Sequence, residues 1–151
     1  MRGEITMSKK ILIIGGVAGG ASAAARLRRH SETVQIIMFE KGPHVSFSNC
    51  SLPYYLSGTV ANSESLVMMS PQKFLKQFNI DARVNQEVIT INRVSKTVSI
   101  LDHQSGEQYE ESYDKLILSP GAKPIVPNIH GKEQVNLFTV RNVVDITHLK
   151  Q

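Results

Sequence analysis

The chain has 151 residues, of which 41% are hydrophobic and 20% charged, and its net charge is +4. This is the composition of a globular protein that can bury a core, and so small a charge gives no indication of nucleic-acid binding. No apolar run approaches the length of a membrane span, and a single cysteine excludes an internal disulfide. We therefore expect a cytoplasmic protein without a metal, nucleic-acid or membrane partner.

The first predicted unit is a strand, a glycine-rich turn and a helix. Lys10–Ile14 is a continuous apolar run, as in a buried parallel strand. The turn Gly15–Gly20 (GGVAGG) follows, in which Val17 replaces the second glycine of G-x-G-x-x-G. Ala21–Arg29 is rich in strong helix formers. This order predicts a Rossmann-like turn with a pyrophosphate at the helix N-terminus, and a glycine-rich turn of another α/β fold is the alternative.

The next predicted strand ends in an acidic residue. Val34–Phe39 is apolar, and Glu40 follows it. The acid lies about 20 residues beyond the last glycine, where the ribose of a dinucleotide needs an acceptor. Strand, turn, helix, strand and acid together favour dinucleotide binding over an unrelated turn.

The predicted helix carries two different faces. Ser22, Arg26 and Arg29 have the spacing i, i+4, i+7 and form a stripe that points away from the sheet. A solvated charged face is the simpler interpretation, and a phosphate-binding strip for a ligand outside the nucleotide fold is the alternative. The residues expected against the sheet are Gly20, Ala23, Ala24 and Leu27.

The only cysteine lies in the segment Ser46–Tyr55 (SFSNCSLPYY). Asn49 is a good N-cap and Pro53 is tolerated in a first helical turn, so the segment predicts a short helix. Cys50 would then lie at the positive end of that helix, where a thiol ionises more readily. A buried structural cysteine is the alternative.

The rest of the chain predicts an antiparallel layer added to the parallel sheet. Ser70 and Pro71 predict the N-cap and first residue of a helix that ends at Phe78. The sharp loop Ser119–Ala122 follows the last strand, and Arg141–Gln151 predicts a helix or linker. The expected strands are Asp81–Val84, Glu87–Asn92, Thr97–Leu101, Gln108–Ser112 and Asp114–Leu118.

Four stretches of the chain resemble the amino-terminal part of the coenzyme A-disulfide reductase family. This is a branch of the FAD-dependent pyridine nucleotide-disulfide oxidoreductases that also includes NADH oxidases and NADH-dependent persulfide reductases. The stretches are GGVAGG at 15–20, FEK at 39–41, the cysteine segment, and YDKLILSPGA at 113–122. The resemblance implies an α/β, Rossmann-like FAD-binding fold with a parallel sheet plus a small antiparallel layer, incomplete in this chain.

The resemblance also implies roles for individual residues. Cys50 is the implied redox-active nucleophile beside the flavin. The residues implied to bind FAD are Gly15, Gly16, Val17, Ala18, Gly19, Gly20, Glu40, Lys41 and Gly121. Those implied to contact coenzyme A are Ser22, Arg26, Arg29, Ser46 and Asn49, which would explain the stripe.

A single sulfur carries the implied reaction. Many relatives have a C-x-x-x-x-C pair, but Tyr55 stands five residues after Cys50, so the thiolate must alternate with a mixed disulfide or an oxidised sulfur. The leading hypothesis is NAD(P)H-linked reduction of coenzyme A disulfide through a Cys50–S–S–CoA adduct, because an oxidase does not need the arginine stripe. The alternatives are an NADH oxidase, an NADH-dependent persulfide or polysulfide reductase, and a non-catalytic nucleotide-binding fragment.

The expected domain organisation follows from the same resemblance. We expect a polar leader at residues 1–8, the N-terminal segment of an FAD-binding domain at 9–125, and a connection at 126–151 toward an absent NAD(P)H-binding domain. The resemblance implies that the full-length protein is a homodimer and that this part alone is inactive.

Overall fold

The computed structural model describes residues 8–134 and 136–151, so residues 1–7 of the predicted leader lie outside the described part. The chain divides into two compact units. The first contains the residues through Ser46 together with Met69–Pro120, and the second contains Phe47–Met68 together with Gly121–Gln151. None of the described helices combines the length and the hydrophobicity that a bilayer crossing requires.

The first unit is built on a four-stranded parallel sheet. Its strands are β1 (Lys10–Ile14), β2 (Gln35–Glu40), β3 (Asp81–Val84) and β7 (Lys115–Leu118), in the order β3-β2-β1-β7. The strand β1 lies between β2 and β7, and its Ile13 is opposite Met38 of β2 and Ile117 of β7. The run of buried residues in β1 and β2 reflects this central position, since both faces of the sheet are covered. The parallel sheet confirms the predicted fold class.

Two helices cover one face of this sheet, α1 (Ala18–His30) and α3 (Pro71–Phe78). Ala24 of α1 and Phe74 of α3 pack with Ile13 in one buried cluster. The helix α1 begins three residues earlier than predicted, because the last two glycines of the turn adopt the helical conformation. Its buried residues are Gly20, Ala21 and Ala24, so Ala21 rather than the predicted Ala23 faces the sheet.

The helix α3 has the predicted bounds, and local signals at both ends explain why. The Ser70 Oγ accepts a hydrogen bond from the Lys73 N–H at 3.2 Å, which satisfies one amide that has no partner within the helix. At the other end Asn79 adopts a left-handed conformation, with φ of 49°, which is a common way for a helix to stop.

A three-stranded antiparallel sheet covers the other face. Its strands are β4 (Gln86–Asn92), β5 (Thr97–Asp102) and β6 (Gln108–Ser112), in the order β4-β5-β6. Val98 and Ile100 of β5 pack against Leu12, whose side chain points opposite to that of Ile13 because side chains alternate along a strand. The predicted antiparallel layer is therefore confirmed.

The Glu111 carboxylate of β6 links the antiparallel sheet to two strands of the parallel sheet. It accepts from the Lys10 ammonium at 2.6 Å and from the Arg83 guanidinium at 3.1 Å. Partial burial opposes ionisation of Glu111, but the hydrogen bond and charge of Lys10, followed by those of Arg83, hold its pKa below the usual range. The ionised form is thus favoured in the folded state.

We expect Glu111→Gln to lower the free energy of unfolding by about 1 kcal/mol at pH 7. Because the folded pKa is depressed, this stabilisation is present above the unfolded value of roughly 4.3 and is lost as the pH falls through the folded pKa. Urea unfolding of both proteins between pH 7 and pH 3 should show the difference shrinking. The exposed neighbour provides the control Glu110→Gln, and a pH-independent difference would contradict the expectation.

The second unit has its own small core. It contains a 3₁₀ turn at Asn49–Ser51, the helix α2 (Leu52–Leu56), a second 3₁₀ turn at Ser63–Leu66, and the helix α4 (Val143–Leu149). A helix or linker was predicted for the C-terminal segment, and the structure shows that this segment contains the helix α4. Among the residues that the structure describes in this unit, those that are buried are Leu52, Leu66, Val143 and Ile146.

Local contacts explain where α4 begins and how it is held. The Asp145 N–H donates to the Asn142 side chain at 2.9 Å, and the Asn142 N–H donates to the Asp145 carboxylate at 3.2 Å, which is a capping box. Beyond the helix, the Lys150 ammonium donates to the Tyr55 carbonyl at 2.9 Å and lies 3.9 Å from the centre of the Tyr55 ring. These contacts bind α4 to α2.

Candidate functional site

The glycine-rich turn lies at the carboxyl end of β1 and is packed too closely for side chains. Gly15 has a φ of +96°, and a Cβ there would overlap the carbonyl oxygen of Ser119. A Cβ on Gly20 would overlap the carbonyl oxygen of Gly15. The first turn of α1 is therefore pressed directly against the loop. These are the positions at which the G-x-G-x-x-G motif requires glycine.

Backbone amides at the start of α1 are available to an anion. The first hydrogen bond within the helix runs from the Ala21 N–H to the Val17 carbonyl, at 3.0 Å. The preceding amides, at Ala18, Gly19 and Gly20, have no carbonyl within the helix to bind. Val17 occupies the N-cap position and supplies no side-chain cap. Such a helix end favours a phosphate group.

The Glu40 carboxylate closes this loop from the end of β2. Its Oε2 accepts from the Gly16 N–H and its Oε1 accepts from the Gly42 N–H, both at 2.9 Å. Sequence reasoning assigned Glu40 only as a ribose acceptor, and the structure adds this role in holding the turn. Each oxygen retains a further lone pair for a hydroxyl donor.

A cleft of about 130 Å³ lies beside the turn, within the first unit. Three residues of the predicted cofactor site line it, namely Gly15, Glu40 and the exposed Lys41. Sequence reasoning missed the opposite wall, which β4 forms with Gln86, Glu87 and Val88. The sequence contains no local signal for that wall, because it depends on how the antiparallel sheet packs.

Contacts with β5 and β6 orient the Gln86 side chain in that wall. Its Oε1 accepts from the Tyr109 hydroxyl at 2.9 Å, and its Nε2 donates to the Asp102 carboxylate at 2.7 Å. Both ends of the amide are therefore occupied by the antiparallel sheet. This leaves the wall with a defined polar surface.

The predicted stripe lies on the exposed side of α1. Ser22, Arg26 and Arg29 are all exposed, as expected from their spacing. The intervening Arg28 behaves differently, because its guanidinium donates only to backbone carbonyls. Its acceptors are the carbonyls of Ser31, Glu32, Val34, Phe78 and Asn79, at 2.7–3.0 Å. Helical spacing placed Arg28 off the stripe, but it could not show which carbonyls the guanidinium binds.

Ser46 lies beside the glycine turn. Its N–H donates to the Gly16 carbonyl at 2.8 Å, and its φ of 48° is unusual for a residue other than glycine. The structure thus brings the backbone of this predicted substrate residue to the predicted cofactor loop.

The capping prediction for Asn49 is wrong. Asn49 is the first residue of the 3₁₀ turn, Ser48 precedes that turn, and Ser51 occupies the N-cap position of α2. Because the chain is already helical at Asn49, its side chain is not placed to accept from the following amides. Among the described residues no hydrogen-bond donor reaches its enclosed Oδ1. Pro53 lies in the first turn of α2, as predicted.

Cys50 is exposed, which excludes the alternative of a buried structural cysteine. The Ser48 Oγ lies 3.2 Å from its Sγ, and the Ser51 Oγ lies 2.8 Å from the Ser48 Oγ. Hydrogen bonds from Ser48, and then from Ser51, lower the pKa of the Cys50 thiol against the smaller opposing effect of burial. An exposed thiol with a lowered pKa has the properties of a reactive cysteine. Sequence reasoning gave these two serines no role.

Gly121 belongs to the second unit and lies against Arg141. The Arg141 Nε donates to the Ala122 carbonyl at 3.1 Å. A Cβ on Gly121 would lie 2.9 Å from the Arg141 Nη2, so the guanidinium occupies the space that a side chain would need. The segment at Gly121 and Ala122 is thereby joined to the residues that precede α4.

Comparisons with known proteins agree with this arrangement. The sequence model of the family described as pyridine nucleotide-disulphide oxidoreductase matches residues 9–151. A coenzyme A disulfide reductase of Staphylococcus aureus is 43% identical over 142 residues, which cover 94% of this chain and 32% of that protein. The crystal structure of reduced Bacillus anthracis CoADR-RHD matches with a TM-score of 0.92 and 52% identity, over 95% of this chain and 26% of that chain.

A second solved structure is that of a protein with a different activity. The NAD-dependent persulfide reductase of A. fulgidus matches with a TM-score of 0.87 and 33% identity, over 91% of this chain and 26% of that chain. This chain therefore spans about a third or less of the length of the proteins that it matches.

Proposed function

This chain belongs to the pyridine nucleotide-disulphide oxidoreductase family, and we propose that it forms the FAD-binding, cysteine-bearing part of a reductase of coenzyme A disulfide. The observation that carries the proposal is Cys50, an exposed thiol whose pKa is lowered by neighbouring hydroxyl groups. The activity of the S. aureus relative and the similarity to B. anthracis CoADR-RHD support coenzyme A disulfide as the substrate class.

The residues present fit an FAD molecule. Gly15 and Gly20 allow the tight turn and the close packing of α1 against it, and the free amides at the start of α1 would bind a pyrophosphate there. Glu40 and Lys41 would hold the adenosine end in the cleft. The family resemblance implies that Gly121 would also contact the cofactor. When bound, FAD supplies two electrons to a disulfide and recovers them from NAD(P)H. We assign this domain to residues 9–125 and a connection toward the NAD(P)H-binding part to residues 126–151.

The chain's own step is thiol–disulfide exchange at Cys50. The thiolate sulfur attacks one sulfur of coenzyme A disulfide, the substrate's S–S bond breaks, and a Cys50–S–S–CoA bond forms. One coenzyme A leaves as a thiolate and takes a proton from water. No electrons are gained or lost overall, so the step needs neither FAD nor NAD(P)H.

The exposed stripe on α1 would recognise the anionic end of coenzyme A. Arg26 and Arg29 carry guanidinium groups suited to phosphate, and Ser22 offers a hydroxyl beside them. Ser46 and Asn49 would contact the pantetheine end.

We expect the reduced protein to form one covalent adduct when it is mixed with coenzyme A disulfide. A non-reducing mass spectrum should show the added mass of one coenzyme A, together with release of one equivalent of free coenzyme A, and a reductant should remove the adduct. Cys50→Ser should do neither. Failure of the wild-type chain to form the adduct, or its formation on Cys50→Ser, would overturn the proposal. An adduct of one sulfur atom from polysulfide, without any coenzyme A adduct, would favour a persulfide reductase, as in the A. fulgidus relative.

The same assay tests the stripe. Pantethine has the reactive disulfide of coenzyme A disulfide but lacks the phosphates. Arg26→Gln with Arg29→Gln should slow the reaction with coenzyme A disulfide by about tenfold and leave that with pantethine unchanged. An equal effect on the two disulfides would show that the stripe does not recognise the phosphates of coenzyme A.

A further inference from the structure

Two serine hydroxyls flank the Cys50 thiol in a defined geometry. The Ser48 Oγ lies 3.2 Å from the Cys50 Sγ and 2.8 Å from the Ser51 Oγ. Ser48 is itself anchored by its backbone, since its N–H donates to the carbonyl of the buried Leu66 at 2.8 Å. The Ser51 N–H donates to the Ser48 carbonyl at 3.2 Å, which closes the turn. The backbone that carries this hydroxyl is therefore anchored on both sides.

The protonation state of the sulfur sets the direction of these hydrogen bonds. A thiolate can only accept, so Ser48 must then donate to Cys50, and the Ser48 oxygen is free to accept from Ser51. A thiol can donate instead, which lets Ser48 turn its hydroxyl proton toward Ser51. Three side chains on four consecutive residues thus accommodate both states, and the charged state receives the stronger bond.

We propose that Ser48 and Ser51 are positioning residues for the exchange reaction, with Ser48 donating to the Cys50 thiolate and Ser51 holding the Ser48 hydroxyl in that direction. The proposal rests on the proposed function, in which Cys50 reacts as a thiolate. During exchange the Cys50 sulfur gives an electron pair to the incoming disulfide and becomes a divalent sulfur. The Ser48 hydroxyl is then released, because a disulfide sulfur is a weak acceptor, and it binds again when the thiolate returns.

A donor to the thiolate has two opposing effects on rate. It raises the fraction of ionised thiol, and it lowers the reactivity of each thiolate. For each unit by which the pKa rises, the fraction of ionised thiol near neutral pH falls about tenfold. The intrinsic reactivity of each remaining thiolate rises by about threefold. Loss of the Ser48 hydroxyl should therefore slow Cys50 at neutral pH and accelerate it at alkaline pH. If the substitution only disturbed the structure, its effect on the rate of Cys50 would not be expected to change from a decrease to an increase with pH.

The test is the rate of Cys50 alkylation by iodoacetamide from pH 5 to pH 10. Ser48→Ala should be about threefold slower at pH 7 and faster at pH 10, with its titration midpoint moved to higher pH. Ser51→Ala should move the same way by less, and Ser48→Thr should restore the wild-type profile. Ser57→Ala is the matched control, because Ser57 lies in the same unit and donates to the Tyr54 carbonyl instead. A Ser48→Ala profile that overlays the wild type, or lies below it at every pH, would overturn the proposal.

Parallel measurement of the coenzyme A adduct separates this proposal from the proposed function. A shifted alkylation profile without an adduct would leave the hydroxyl pair standing and remove the coenzyme A assignment. A coenzyme A adduct together with an unshifted alkylation profile would support the coenzyme A assignment and overturn the role of the hydroxyl pair.

Discussion

Replacing Gly20 by alanine should destabilise the protein by about 3 kcal/mol, toward the upper end of the cost of overpacking. The added Cβ would overlap the Gly15 carbonyl oxygen and lie 3.1 Å from the Ile13 Cγ2. The first of these contacts is with backbone, which no side-chain rotation can relieve. The strand, the turn and α1 would have to separate, and the free amides of the helix would move from their positions at the turn.

The neighbouring glycine provides the control. A Cβ on Gly19 would meet only the Ser119 side chain, at 3.3 Å from its Oγ and 3.4 Å from its Cβ. Alanine is favoured over glycine in a helix by roughly 0.5–1 kcal/mol, so Gly19→Ala should be close to the wild type in stability. Urea unfolding followed by circular dichroism gives both values. Equal losses in the two variants would show that close packing of the turn is not what requires glycine.

The second large effect is expected at Arg28. Arg28→Met keeps an apolar stem of similar length but removes all five hydrogen bonds that the guanidinium makes to carbonyls. These carbonyls lie at the C-terminal ends of α1 and α3 and just before β2, so the side chain joins the ends of two helices to the start of that strand. We expect a loss of about 2–4 kcal/mol, since several bonds from a charged donor are lost and three of the five are partly buried.

Arg29→Met should change the free energy of unfolding by no more than about 0.5 kcal/mol, because this side chain is exposed. Arg28→Lys should fall between the two, since an ammonium group has three donors rather than five in a planar fork. The readout is the midpoint of urea unfolding at pH 7. A similar midpoint for Arg28→Met and Arg29→Met would show that the carbonyl contacts contribute little.

Sequence patterns predicted most of the fold because the signals concerned are local. The apolar run of β1 and the Ser70 cap of α3 each depend on residues within a few positions of one another. Several element bounds were therefore predicted to within a residue or two. Where the local signals were ambiguous, at Ala18 and Asn49, the predicted helix starts were wrong.

Local sequence patterns were enough to predict the strand–turn–helix unit, the acid after β2 and the lone cysteine with its helix-forming neighbours. The tertiary structure was needed to show that the Arg28 guanidinium binds backbone carbonyls, since one of them, at Phe78, lies 50 residues away. It also decided that β4 forms a wall of the cleft, and that the Ser48 hydroxyl contacts the Cys50 sulfur. Spacing along a chain shows which side chains share a face of an element. The partners that each side chain meets are set by packing between elements that the sequence keeps far apart.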